Sequence, residues 1–175
     1  MSVFYSLTKE HQLLLRLVSR LERGIADLDE RAAGRQTRNI LLVLLKALEA
    51  HERLEHLVFD PVPKPPSSPT VRQALALVQG QHQLLAAMRE EAVALLRDGP
   101  CDGCGSLRPL VLRLARLLRR HFEDEERELW PSFNALATRS TLNHLDRLAR
   151  TQVRAMEREL DHYWVEVGDY LTGDR

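Results

Sequence analysis

The stretch His51-Glu52-Arg53-Leu54-Glu55-His56-Leu57-Val58-Phe59-Asp60-Pro61 is answered 70 residues later by His121-Phe122-Glu123-Asp124-Glu125-Glu126-Arg127-Glu128-Leu129-Trp130-Pro131. Both segments place a glutamate four residues after a histidine and a proline six beyond that. Each is preceded by an earlier histidine in matching surroundings. Glu10-His11-Gln12-Leu13-Leu14 stands against Gln81-His82-Gln83-Leu84-Leu85, with an offset of 71. A repeat of this length reads as a duplicated helical hairpin.

Working outward, prolines at 61, 63, 65, 66, 69, 100, 109 and 131 leave long proline-free windows, as helices require. A first helix is expected over residues 7–33, stopped near Gly34, and a second over 37–59, ended by the run Pro61 to Pro69. A third spans 70–98 and is closed by Gly99-Pro100. A fourth starts after Ser106, with Pro109 in its first turn, and ends at Trp130. A fifth covers 141–171. No segment alternates with period two. The expected fold is all-α: an antiparallel up-down-up-down four-helix bundle (residues 1–135), with an additional C-terminal helix (136–175) packed on it in the same domain.

Apolar periodicity fixes where the histidines point. Leu7, His11, Leu14, Val18, Leu21, Ile25 and Leu28 form one seam of the first helix, at the spacing of a core-facing stripe. His51 and Glu55 continue the seam of Ile40, Leu44 and Leu48. His82 continues Val71, Leu75 and Val78, and His121 and Glu125 continue Leu110, Leu114 and Leu118. In an up-down-up-down bundle, a rise of about 1.5 Å per residue puts the four histidines about 6 to 18 Å from the same end. Six polar side chains therefore converge in one slab of the core.

A single histidine on an apolar seam is ordinarily a hydrogen-bonded core residue. The His-x-x-x-Glu spacing is also cheap: seven histidines give about 0.6 such pairs by chance. Two pairs, each with its proline and its earlier seam histidine, are a different observation. Ionised glutamates in an apolar core cost several kcal/mol each unless paired or metal-bound, and neither seam offers a Lys or Arg partner. A cation resolves the cost. Imidazole and carboxylate without thiolate suit iron, manganese or zinc. Two carboxylates among four histidines can bridge two ions and leave two imidazoles on each.

The repeated His…His-x-x-x-Glu pattern, with Glu-Glu-Arg-Glu-Leu-Trp-Pro ending at Pro131, resembles the hemerythrin-like cation-binding (HHE) family over about residues 5–133. The resemblance implies a four-helix bundle with a non-haem centre of two iron ions. It assigns His11, His51, His82 and His121 as terminal imidazoles and Glu55 and Glu125 as bridging carboxylates. Oxygen-carrying members place a further histidine four residues after the third-helix one, where this chain has Ala86. Their last carboxylate sits five after the histidine, which would be Glu126. The chain thus looks closer to a symmetric four-histidine branch than to the oxygen carriers.

The resulting expectation is a protein binding or sensing O₂, NO, peroxide or iron, rather than a conventional enzyme. The alternatives are an oxidase or peroxidase, an iron donor of the iron–sulfur-repair type, and a metal-dependent interaction module. Zero net charge argues against nucleic acid, and no apolar run is long enough to span a membrane. With no signal peptide at the N-terminus, a cytoplasmic location is expected. The C-terminal helix, with Leu142, Leu145, Leu148, Val153, Met156, Leu160 and Trp164, could cover a second copy or a protein partner. Glu52 sits about 100° from His51 on a helix, which favours a surface or supporting role over ligation. His56, His144 and His162 lie off the seams, and Glu159 with His162 makes a lone Glu-x-x-His. Cys101 and Cys104, in a Gly-containing loop without a partner pair, read as incidental ahead of a redox or zinc role.

Overall fold

A computed structural model of the chain describes residues 3–25, 31–59, 68–97 and 104–151. They are helical throughout apart from short joints, and no strand occurs among them. Helix α1 is Val3–Gly24, α2 Arg31–Phe59, α3 Pro69–Arg97 and α4 Cys104–Asp124. A π-helical turn, Glu125–Leu129, joins α4 to α5, Trp130–Leu136. A further helix, α6, is described over residues 139–151. Thr138 starts it: its hydroxyl accepts from the Thr141 backbone N–H at 3.1 Å, the capping arrangement for an orphan donor in a first turn. The expected fifth helix thus begins slightly earlier than residue 141, and residues 152–171 lie outside the described set.

Side-chain pairs along the helices fix their directions. His11 meets His51 while Gly24 lies against Thr37, so α1 and α2 run antiparallel. Glu52 pairs with Arg89, and Arg38 donates to the Leu96 carbonyl, which orients α2 against α3. His82 with His121 and Glu91 with Arg113 do the same for α3 and α4. The ring closes with Glu126 on His11 and Arg119 on Glu22, which set α4 antiparallel to α1. The four seams of the sequence therefore face one shared interior.

Several boundaries differ from the sequence reading. Gly34 lies inside α2 rather than ending α1: α1 ends at Gly24 and α2 begins at Arg31. An internal glycine costs a helix only about 1 kcal/mol, which packing along the rest of α2 outweighs. Gly24 is the glycine with a structural reason: a Cβ there would lie 2.4 Å from the Thr37 hydroxyl, so the absent side chain permits the close approach of α1 to α2. Ser106 is the third residue of α4 rather than its cap, and Pro109 is inside the helix.

Pro131 likewise does not end a helix. Trp130 donates its backbone N–H to the Glu125 carbonyl, five residues back. That widened turn brings the chain to Pro131, which has no N–H to contribute, and α5 continues from there.

The buried apolar residues form two clusters. The larger contains Leu14, Leu21, Leu44, Leu48, Leu85, Leu110, Leu118 and Phe122. The smaller contains Val3, Leu7, Leu54, Val58, Val78, Leu129, Trp130 and Phe133, and is completed by Leu145 and Ala149 of α6. The start of the C-terminal helix thus packs on the bundle. Each seam histidine sits where its helix passes from one cluster to the other: His11 between Leu7 and Leu14, His51 between Leu48 and Leu54, His82 between Val78 and Leu85, and His121 between Leu118 and Leu129. The polar slab is near one end, and an apolar plug closes it off. No helix among the described residues is long and apolar enough to cross a membrane.

Candidate metal centre

The interior brings His11, His51, His82, His121, Glu55 and Glu125 together. They make two overlapping sets, His11–His51–Glu55–Glu125 and His82–His121–Glu55–Glu125. Within each set, one ligand atom per residue lies within 4.8 Å of all the others. His11, His51 and His121 are 1% exposed and Glu125 not at all, whereas the His82 side chain is 17% exposed.

The two carboxylates are shared oxygen by oxygen. Glu55 turns Oε1 to His51 Nε2 at 3.0 Å and Oε2 to His82 Nε2 at 3.1 Å. Glu125 turns Oε2 to His11 Nε2 at 3.3 Å and Oε1 to His121 Nε2 at 3.6 Å. Across the halves the arrangement is matched: His11 and His51 bring their Nε2 atoms to 3.0 Å, and His82 and His121 to 3.2 Å.

The outward faces of the rings decide what these Nε2 atoms carry. His51 Nδ1 donates to Glu10 Oε2 at 2.9 Å, and His11 Nδ1 to Glu126 Oε1 at 2.9 Å. Gln81 donates its amide N–H to Asp124 Oδ2 at 2.7 Å, which fixes the amide orientation and leaves Gln81 Oε1 to accept from His121 Nδ1 at 3.1 Å. Imidazoles that donate through Nδ1 present lone pairs at Nε2. The slab is therefore lined by inward lone pairs, and all four oxygens of Glu55 and Glu125 are buried without a hydrogen-bond partner. Such a set is costly to bury unless positive charge sits among it. The donors present, nitrogen and oxygen with no sulfur, could hold a metal ion, and their division into two sets fits two.

Without a cation, protons must take the inward positions. Burial would lower the His51 imidazole, but the Glu55 and Glu10 carboxylates outweigh it and raise it to about 10. Burial likewise acts to raise Glu55, and the neighbouring His51, with His11 and His82, pulls it well below the usual range. Burial and the Glu55 charge hold Glu125 well above that range. Burial pushes His11 down and His121 down to about 3. The groups are thus driven apart, as expected where charges of one kind crowd a dry space.

Aromatic packing fixes the rings. Phe122 stacks on one ring neighbour of this slab, His11, at 4.0 Å between centroids and 15°. Trp130 also stacks on His11, at 4.8 Å and 26°.

The remaining candidates separate cleanly. Glu52 turns away and pairs with Arg89 at 3.1 Å. Glu126 reaches the outer nitrogen of His11, outside the inner set, and can do so because the π-helical turn lets two successive glutamates face α1. His56 stands beside His82, with ring centroids 6.1 Å apart, and His144 is exposed. Cys101, Glu159 and His162 lie outside the described residues, as does the side chain of Cys104. The sequence reading missed Glu10 and Gln81 as supports of His51 and His121. The signal was present: they are the residues just before His11 and His82, at matching places in the repeat.

Comparison of the chain with protein-family models, with curated proteins and with solved structures finds no match in any of the three.

Proposed function

We propose that this is a hemerythrin-like non-haem di-iron protein that binds or senses a small ligand such as O₂, NO or peroxide. The observation that carries the reading is the division of Glu55 and Glu125, each giving one oxygen to each histidine pair. A carboxylate used only as a core hydrogen-bond acceptor has no reason to be split twice in the same way. His11 and His51 would hold one ion and His82 and His121 the other, with one oxygen from each glutamate completing four protein donors per ion. A pair of irons there would supply redox chemistry and open coordination positions for a diatomic ligand or peroxide.

The chain's own part is positioning. Glu10, Glu126 and Gln81 hold three imidazoles in the tautomer that offers Nε2 inward, the supporting role that tunes metal-ligand histidines. Phe122 and Trp130 clamp the His11 ring, and the two apolar clusters keep bulk water from the carboxylates. The only ligand ring with appreciable exposure among the described residues is His82, so a small molecule would approach from the α3 side.

The test is anaerobic loading of the metal-free protein with Fe(II), followed by elemental analysis and exposure to O₂ or NO. Two irons per chain and a new visible absorption on exposure are expected. Binding of Mn(II) or Zn(II) in preference to iron would move the reading to another dinuclear protein. No stoichiometric metal would end it.

A further inference from the structure

Resting on the dinuclear reading above, we propose that the two half-sites are unequal. The His11/His51 half is the tight one, loaded first and retained. The His82/His121 half is the weaker, exchangeable one, and the Glu10/Gln81 pair sets the difference.

The inequality lies in what stands behind the rings. Both imidazoles of the first half donate to carboxylates, His51 to Glu10 and His11 to Glu126, each at 2.9 Å. Behind His121 stands the neutral amide of Gln81 at 3.1 Å. The nearest anion on that path, Asp124, is one residue further out and is itself paired with Arg120 at 2.9 Å. At the repeat position equivalent to Glu126 the second half has His56, near the His82 ring. No carboxylate among the described residues accepts from His82 Nδ1.

A carboxylate behind a metal-bound imidazole raises its basicity and steadies its orientation, and loss of such a partner typically costs about 10–100-fold in metal affinity. The first half has two such partners and the second has none in direct contact with a ring. A second observation points the same way. Glu10 is only 5% exposed, and its Oε1 is buried with no hydrogen-bond partner. A buried carboxylate left half-satisfied is costly on its own and gains from a cation one imidazole away. Solvent access completes the contrast, since His82 is 17% exposed and the rings of His11 and His51 only 1%.

The experiment is an anaerobic titration of the metal-free protein with Fe(II), and separately with Co(II), against a competing chelator. Unmodified protein should bind in two steps, the first at least about tenfold tighter. Glu10→Gln gives His51 the same support that His121 has, and should weaken the first step about 10–100-fold while leaving the second nearly unchanged. Gln81→Glu should strengthen the second step. His51→Ala should leave only the weak step and His121→Ala only the tight one, which assigns the steps to their halves.

Two equal steps in unmodified protein overturn the inference, as does a Glu10→Gln loss that falls on the weak step or on both alike. Should Glu10→Gln not fold, Gln81→Glu decides alone, and an unchanged second step there overturns it. Two ions bound with equal affinity leave the dinuclear reading standing without this inequality. No bound metal in unmodified protein removes both.

Discussion

Replacing Glu125 by Gln should change stability in opposite directions with and without metal. Glu125 has no exposed surface and neither of its oxygens has a hydrogen-bond partner. An unpartnered buried polar group costs about 1–3 kcal/mol in protein measurements. Without metal, burial and Glu55 hold the Glu125 carboxyl well above its usual range, so folding must draw a proton onto it at a cost. The glutamine is the same shape, faces His11 Nε2 and His121 Nε2 at 3.3 and 3.6 Å with a donor already in place, and is spared that cost. In chelator the variant should therefore gain about 1–2 kcal/mol, which at about 2–4 °C per kcal/mol for a chain of this size raises Tm by about 2–8 °C. With metal the sign reverses. An ion present at a hundred times its Kd contributes about 2.7 kcal/mol, and a neutral amide in place of a shared carboxylate forfeits much of that. Tm should then fall by several degrees relative to unmodified protein. The assay is a pair of thermal melts followed by circular dichroism at 222 nm, one in chelator and one with excess Fe(II) under nitrogen. A shift of the same sign in both conditions would refute the argument, because it would make Glu125 an ordinary core acceptor.

Other outcomes follow from the same geometry. The metal-free protein should lose stability as pH rises from about 8 toward 10. In that window folded His51 keeps its proton up to about 10 while the unfolded residue releases it near 6.5, and Glu125, raised well above 4.5, acts in the same direction. His11 and His121, both lowered, oppose this loss just above 6.5, where the unfolded imidazoles still shed protons, and contribute nothing above about pH 8. Metal binding displaces the retained protons, so the gap between metal-loaded and metal-free Tm should widen across this range; a constant gap contradicts it. Trp130 stacks on His11, so Fe(II) or Co(II) loading should quench tryptophan fluorescence and Trp130→Phe should abolish the change; quenching that survives the substitution counts against this placement. Gly24→Ala sets a Cβ 2.4 Å from the Thr37 hydroxyl and should cost about 1–3 kcal/mol by overpacking, lowering Tm without altering the number of ions bound. Chelation of unmodified protein should lower Tm yet leave most helical signal at 25 °C, since the larger apolar cluster lies outside the ligand slab. Wholesale loss of helix on chelation would mean that this cluster does not hold the bundle alone.

What could be read from the chain was whatever helical periodicity determines. The face of each seam and the rise per residue were enough to put His11, His51, His82, His121, Glu55 and Glu125 in one slab, because those two quantities do not depend on which helix is neighbour to which. Glu10 and Gln81 fell outside that reasoning. Each is one residue, about 100°, off its seam, so it points at an adjacent helix. Its meaning appears only once α1 is known to lie against α2 and α3 against α4. Glu126 was named as the place where oxygen carriers put their last carboxylate, but its hold on the outer nitrogen of His11 was hidden for a different reason. On a regular α-helix it would turn about 100° away from Glu125, and only the widened turn ending in the Trp130 to Glu125 hydrogen bond lets both reach His11. The same turn misled the reading of Pro131 as a stop, since a residue without an N–H can follow a turn whose bond has already been made by its neighbour. The duplication itself is therefore the most economical guide to function. Where the halves agree, at the histidines and the two shared glutamates, they give the matched donor set proposed to hold two ions. Where they differ, Glu10 against Gln81 and Glu126 against His56, both corresponding positions of the second half lack a carboxylate, so the proposed inequality of the two half-sites can be traced to the repeat once its neighbours are known.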